Sequence, residues 1–229
     1  MTYHLILGNR LYFSWSIAAY LMVEKFGLSD QVDVEIVLPD GEPDVARFLK
    51  NHPPAKTLPT LITPDGAVVS DSFAIAEELA SRFPDAQMWP TDPMARAVAR
   101  TIAAEMHSSF SALRGGWPVN LRHAYVGAIA PPAVEAELDR LEVIWANARL
   151  KTGSATSWLC GDYCLADAIF APMAARLATY GFHTRPVSAA YVAAHLADPA
   201  FQKWRADGLA NDPVMPDFEK DLPTLAWPV

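Results

Sequence analysis

The spacing of apolar positions changes several times along the first third of this chain. Tyr3–Leu7 is an apolar run of strand length that ends at the turn pair Gly8-Asn9. Over residues 15–26 the apolar positions Ile17, Leu21 and Val23 recur with roughly helical period, and Gly27 is a stop of the C′ kind. Residues 32–38 alternate as Val, Asp, Val, Glu, Ile, Val, Leu, which predicts a strand. Residues 44–50 predict a short helix broken by His52-Pro53-Pro54. Residues 58–62 and 67–70 predict two strands joined by Pro64-Asp65-Gly66, and residues 71–83 a helix stopped at Pro84.

This order gives a βαβ unit followed by a hairpin and a helix, a thioredoxin-like α/β sandwich over residues 1–84. Residues 85–93, with Pro90 and Pro93, read as a linker. The composition then turns to Ala, Leu and Glu. Residues 94–113, 132–150, Leu165–Tyr180 and 188–196 predict helices with no strand-like alternation between them. The second domain, 94–211, is therefore expected to be all-α. Residues 212–229 carry Pro213, Pro216, Pro223 and Pro228 and are expected to form an irregular surface tail. There is no internal repeat.

Composition narrows the function. Hydrophobic residues make up 52% of the 229 and charged ones 19%, which suits a folded core. A net charge of −8 argues against general nucleic-acid or anionic-membrane binding, while leaving room for a local positive pocket. The N-terminus lacks a basic segment ahead of an apolar one, and no apolar run reaches the ~18–20 residues of a membrane-spanning helix. The expected compartment is the cytoplasm. The two cysteines, Cys160 and Cys164, have no second Cys or His pair nearby and read as buried free thiols, so no metal site is expected.

Three segments carry candidate chemistry. Pro59 sits inside an apolar strand pattern, where it has no N–H to give a ladder. Its predecessor Leu58 is then left with unpaired backbone groups, suited to a short peptide lying antiparallel to it. Asp71-Ser72 at a helix start adds amides and a hydroxyl that suit a carboxylate. In Tyr12-Phe13-Ser14-Trp15-Ser16, ahead of the first helix, Ser14 is either an N-cap or the donor to an anion held at the helix N-terminus. A thiol bound there would ionise below its usual pKa of ~8.5.

Together these segments resemble the cytosolic glutathione transferases. The matching elements are the loop Asn9–Ser16, the segment Leu58-Pro59-Thr60-Leu61, Asp71-Ser72 with Ala74, Ile75 and Leu79, and the late helix start Gly161-Asp162 with Leu165-Ala166-Asp167. The likeness runs from about residue 3 to 205. It looks closest to the zeta-type and related bacterial serine-loop branches, which include maleylacetoacetate isomerases. The resemblance implies a cytoplasmic, homodimeric, detoxifying enzyme with glutathione as co-substrate and no tightly bound cofactor. It implies a cis Pro59, Leu58 pairing with the cysteinyl backbone, Ser72 on the γ-glutamyl carboxylate and Asp71 near the α-ammonium. Lys56 either neutralises the glycyl carboxylate or is a solvated surface residue. Ser14 is the implied thiol activator, with Tyr12 and Ser16 as alternatives. Tyr12, Phe13, Trp15, Met106, His107, Phe110, Arg114 and Trp117 are candidates for an apolar electrophile pocket, core packing being the other reading of the aromatics and Met106.

The chain departs from the pattern in three places. Aligned on Ser16, the paired serines of the zeta loop are here Phe13 and Ser14, so only the second remains. The cap of the late helix is Cys164 rather than Ser or Thr, with Asp167 kept as its capping-box partner. Ala18 stands where an arginine is usual in the isomerase loop. General transferase chemistry on a small apolar electrophile is thus the leading expectation. The alternatives are a glutathione-dependent cis–trans isomerase of a maleylacetoacetate-like diacid, with Arg114 as the basic residue, and a glutathione-binding protein without turnover.

Overall fold

A computed structural model of the chain describes residues 2–39 and 44–228; Met1, residues 40–43 and Val229, which fall within the first and last expected segments, lie outside it. Strand β1 (Tyr3–Leu7) is apolar and buried over Leu5, Ile6 and Leu7, where both its faces are covered, while His4 is exposed. Leu5 and Leu7 join the main core with residues of α1 (Ser14–Glu24) and α3 (Ser72–Arg82). Ile6 packs on the other side with Val37, Leu58 and Phe48 of α2 (Val45–Asn51). Strand β2 (Val32–Ile36) is parallel to β1; β3 (Thr60–Ile62) and β4 (Val68–Ser70) add antiparallel pairs, giving the order β2-β1-β3-β4. With its flanking helices this is the expected thioredoxin-like domain.

Strand β3 begins two residues later than the apolar run predicts. The Leu58–Pro59 bond is cis, Pro59 offers no N–H, and the Leu58 N–H meets no backbone carbonyl among the described residues. Thr60 Oγ1 donates to the Thr57 carbonyl at 2.8 Å and holds the bend. Pro53–Pro54 is a second cis bond. At the start of α3, Asp71 Oδ1 accepts from the N–H groups of Phe73 (2.9 Å) and Ala74 (3.2 Å). Asp71 has φ +97°, a conformation that costs a non-glycine residue about 1–3 kcal/mol and is kept only where its surroundings demand it.

The second domain opens with α4 (Pro93–Ser108), capped by Asp92 with Pro93 in its first turn. The single helix expected over 94–113 is interrupted at Phe110, which takes φ +60°, and α5 (Ser111–Gly116) follows. Arg114 stabilises the break by donating from Nη1 to the carbonyls of Met106, His107 and Ser109, the groups a helix end leaves unpaired. Helices α6 (Pro132–Thr152), α7 (Leu165–Tyr180), α8 (Pro186–Leu196) and α9 (Pro199–Asn211) complete the bundle. Every residue of α7 is buried; α1, α4 and α8 pack against it. Among the described residues no helix is long and apolar enough to cross a membrane.

Two features went unread in the sequence. Helix α9 carries Gly208 in its interior, which weakens any helical signal. The glycine is required there because an added Cβ would lie 2.7 Å from the Leu11 side chain. The tail is not irregular throughout: β6 (Thr224–Ala226) pairs antiparallel with β5 (His123–Tyr125), a ribbon within a domain expected to have no strand. Three-residue strands are too short to display alternation. The tail is also tied down, Asp212 by an ion pair with Arg10 and Trp227 by burial under the Arg205 guanidinium. In the expected linker, Met88 and Trp89 are buried, and the Met88 carbonyl accepts from the Leu165 N–H at 2.9 Å.

Candidate active site between the two domains

The loop after β1 and the start of α1 bring Tyr12, Phe13, Ser14 and Trp15 to one wall of a cavity of about 530 Å³. Leu58 closes it from the first domain. Met106, Ser108 and Ser109 at the end of α4, Ser111, Arg114 and Gly115 of α5, and Pro172 and Arg176 of α7 face them from the second. Phe218 of the tail completes the wall, its ring centroid 6.0 Å from that of Phe13.

Ser14 is the first residue of α1, and Phe13, which has no capping side chain, occupies the N-cap position. Ser14 is therefore not the cap. Its Oγ accepts from Arg176 Nη2 at 3.1 Å. The first N–H groups of α1 have no acceptor within the helix and, with the helix dipole, make the cavity wall at Ser14 and Trp15 favourable to an anion. The other two candidate hydroxyls are engaged elsewhere. Ser16 is fully buried and its Oγ accepts from the Gly8 N–H at 2.9 Å. Tyr12 donates to Glu219 Oε1 at 2.6 Å, and burial together with that carboxylate pushes its phenol well above the ordinary range.

Glu219 is a hub. It accepts from Tyr12, from Tyr125 at 2.7 Å and from Asn120 at 3.1 Å, and pairs with His123 at 2.9 Å. Burial pushes its carboxyl up, but these partners together hold it below the usual carboxylate range.

The remaining candidates divide. Met106 and Arg114 line the cavity, and the Arg114 guanidinium lies 4.9 Å from the Trp15 ring centroid. His107 lies outside the lining, pairing through Nε2 with Asp71 Oδ2 at 2.7 Å across the domain boundary and packing beside Trp15 and Phe73. Both Asp71 oxygens are thus engaged, one in the cap and one with His107. Pro59 and Ser72, the first residue of α3, are buried, and Lys56 is exposed. Phe110 is buried in the core; Trp117 packs edge-on against Tyr180 and Phe182.

Gly8 sets the position of the Phe13 ring, because a Cβ there would overlap three of its atoms. Gly8→Ala is expected to lose about 1–3 kcal/mol in chemical denaturation as the ring is displaced. Gly116→Ala, where an added Cβ meets nothing within 4 Å, should stay within about 0.5 kcal/mol of the parent.

Residues 13–82 match the family model of the glutathione S-transferase N-terminal domain. The first domain belongs to that family. Among curated proteins it is similar to a probable maleylacetoacetate isomerase of Caenorhabditis elegans, 31% identical over 129 residues. That match covers 55% of this chain and spans only 58% of the isomerase. A stringent starvation protein A homolog of Coxiella burnetii is 27% identical over 169 residues, 70% of this chain and 76% of that protein. A Burkholderia glutathione transferase homolog, crystallised with bound glutathione, shares the fold with a TM-score of 0.64 at 24% identity, over 93% of this chain and all of that one.

Within this transferase fold, sequence reasoning missed Arg176, Phe218 and the serines at 108, 109 and 111. Only Arg176 gave a signal: it is the one cation in a largely apolar helix, and a buried charge calls for a partner.

Proposed function

We propose that this chain binds glutathione in the inter-domain cavity and activates its thiol at Ser14 for attack on a small electrophile. The observation that carries the reading is that one cavity is lined both by Leu58, whose N–H meets no backbone carbonyl among the described residues, and by a serine at the N-terminus of α1. In this reading the Leu58 N–H and carbonyl pair with the cysteinyl backbone, and Ser72 binds the γ-glutamyl carboxylate. Asp71 meets the α-ammonium on the oxygen shared with His107, and Lys56 meets the glycyl carboxylate. The thiol proton leaves to solvent and the Ser14 hydroxyl donates to the sulfur anion; the sulfur electron pair forms the new C–S bond as the electrophile's leaving group departs with its bonding pair, or as an activated double bond opens and takes a proton from water. Proximity within the cavity supplies further acceleration. A homodimer is the assembly this reading expects.

Ser14→Ala is expected to raise the pKa of bound glutathione, read from the ultraviolet absorbance of its thiolate against pH, by about one unit or more, a tenfold loss of thiolate. An unchanged titration removes Ser14 from the role. Calorimetric binding of glutathione without conjugation of any electrophile in a broad panel would instead favour a binding protein.

A second reading is favoured by Arg114. Its described hydrogen bonds all leave from Nη1, and among the described residues no carboxylate lines the cavity with it. That suits an acidic co-substrate such as a maleyl diacid, which the thiolate adds to and leaves after rotation about the bond. Turnover of a maleyl diacid, lost in Arg114→Gln while conjugation of a neutral electrophile persists, would select this reading.

A further inference from the structure

Helix α7 is buried along its whole length, yet it presents Arg176 at the cavity wall. Arg176 is 3% exposed, and its three hydrogen-bond partners among the described residues are neutral: the carbonyls of Trp117 (2.6 Å) and Pro172 (3.4 Å) and the Ser14 hydroxyl. A guanidinium taken out of water without a carboxylate is costly, and that cost is recovered when an anion arrives. The groups bearing on it are Arg114 from α5 and the Tyr180 phenol one turn along α7. Burial, then the like charge of Arg114, pushes Arg176 down to about 10, so it remains a cation at neutral pH.

The direction of the Ser14 hydrogen bond is fixed by chemistry. A guanidinium only donates, so Ser14 Oγ accepts from Arg176 and its own single proton is left for another acceptor. We propose that Arg176 is a positioning residue for thiol activation: it turns the Ser14 proton into the cavity and places a buried positive charge behind the glutathione thiolate. The inference rests on the glutathione reading above and assigns part of the activation to the second domain. It also accounts for a loop that keeps one serine, since the charge from α7 supports that remaining hydroxyl. Arg176 stays protonated throughout; the thiol proton goes to water and the sulfur keeps its electron pair.

The test uses Arg176→Gln, which keeps a donor for the Trp117 carbonyl without the charge, and Arg176→Lys, which keeps the charge. The bound-thiolate titration is expected to move up by about one unit in Arg176→Gln, tenfold less thiolate at a given pH below it. With any electrophile the parent turns over, kcat should fall in step while KM for glutathione changes less than about twofold. Arg176→Lys should restore at least half of the shift. Arg176→Met, neutral and of similar length, carries the test if the glutamine variant does not fold. Neutral variants that fold and titrate like the parent overturn the inference alone, as does a lysine variant that titrates like a neutral one. A parent protein that binds no glutathione overturns the proposed function and this inference with it.

Discussion

Asp167→Ala is expected to lose about 3–5 kcal/mol of stability, read as a shift in the chemical-denaturation midpoint. Asp167 is fully buried at the start of α7, and it serves three donors. Its Oδ1 accepts from the Tyr191 hydroxyl at 2.8 Å and the Leu159 N–H at 3.2 Å, and its Oδ2 from the Cys164 N–H at 3.0 Å. Removing the carboxyl strands all three at about 1–3 kcal/mol each and takes away the capping-box partner of the helix against which α1, α4 and α8 pack. Asp167→Asn keeps the shape but turns an NH₂ donor toward one of the existing donors, so it should fall between the parent and the alanine variant. An alanine variant within 1 kcal/mol of the parent would show that Asp167 is not the anchor of α7.

The second large effect is a loss of stability in mild acid that originates at His195. This ring is 1% exposed, its Nε2 has no hydrogen-bond partner among the described residues, and it packs edge-on against Trp158 and Tyr191. Burial pushes its pKa down to about 3, against a smaller opposing pull from Asp198. An unfolded histidine titrates near ~6.5, so between these values the unfolded chain binds the extra proton. This contribution to stability therefore falls as pH falls through that window, by about 1.4 kcal/mol per unit. His195→Leu should flatten the pH dependence of unfolding between pH 6 and 4 by one proton. Equal slopes in parent and variant would place the acid sensitivity in other groups.

The first domain was legible because its elements are local. Alternation at 32–36, helical period from Ile17 to Val23 and the turn Pro64-Asp65-Gly66 each declare themselves within a short window. The bend at Leu58-Pro59 was legible for the same reason, as a proline in an apolar strand pattern. What escaped reading depends on distant partners. The break at Phe110 is held by Arg114 reaching back to α4, and β5 pairs with a strand about 100 residues later. The hydrogen bond between Ser14 and Arg176 spans 162 positions. Likewise Asp71 reads as a helix cap from its neighbours alone, and its link to His107 appears only once α4 is folded over it.

The C-terminal tail gives this site a place in time. The Tyr12–Glu219 bond joins residues 207 positions apart, and the Phe218 ring beside it closes the cavity. During synthesis the first domain can form its sheet long before residue 219 exists, since domains fold as units in N-to-C order. Until then the Tyr12 hydroxyl lacks its acceptor and the cavity lies open on that side. In translation the sheet of the first domain precedes the finished pocket, which must wait for Phe218 and Glu219.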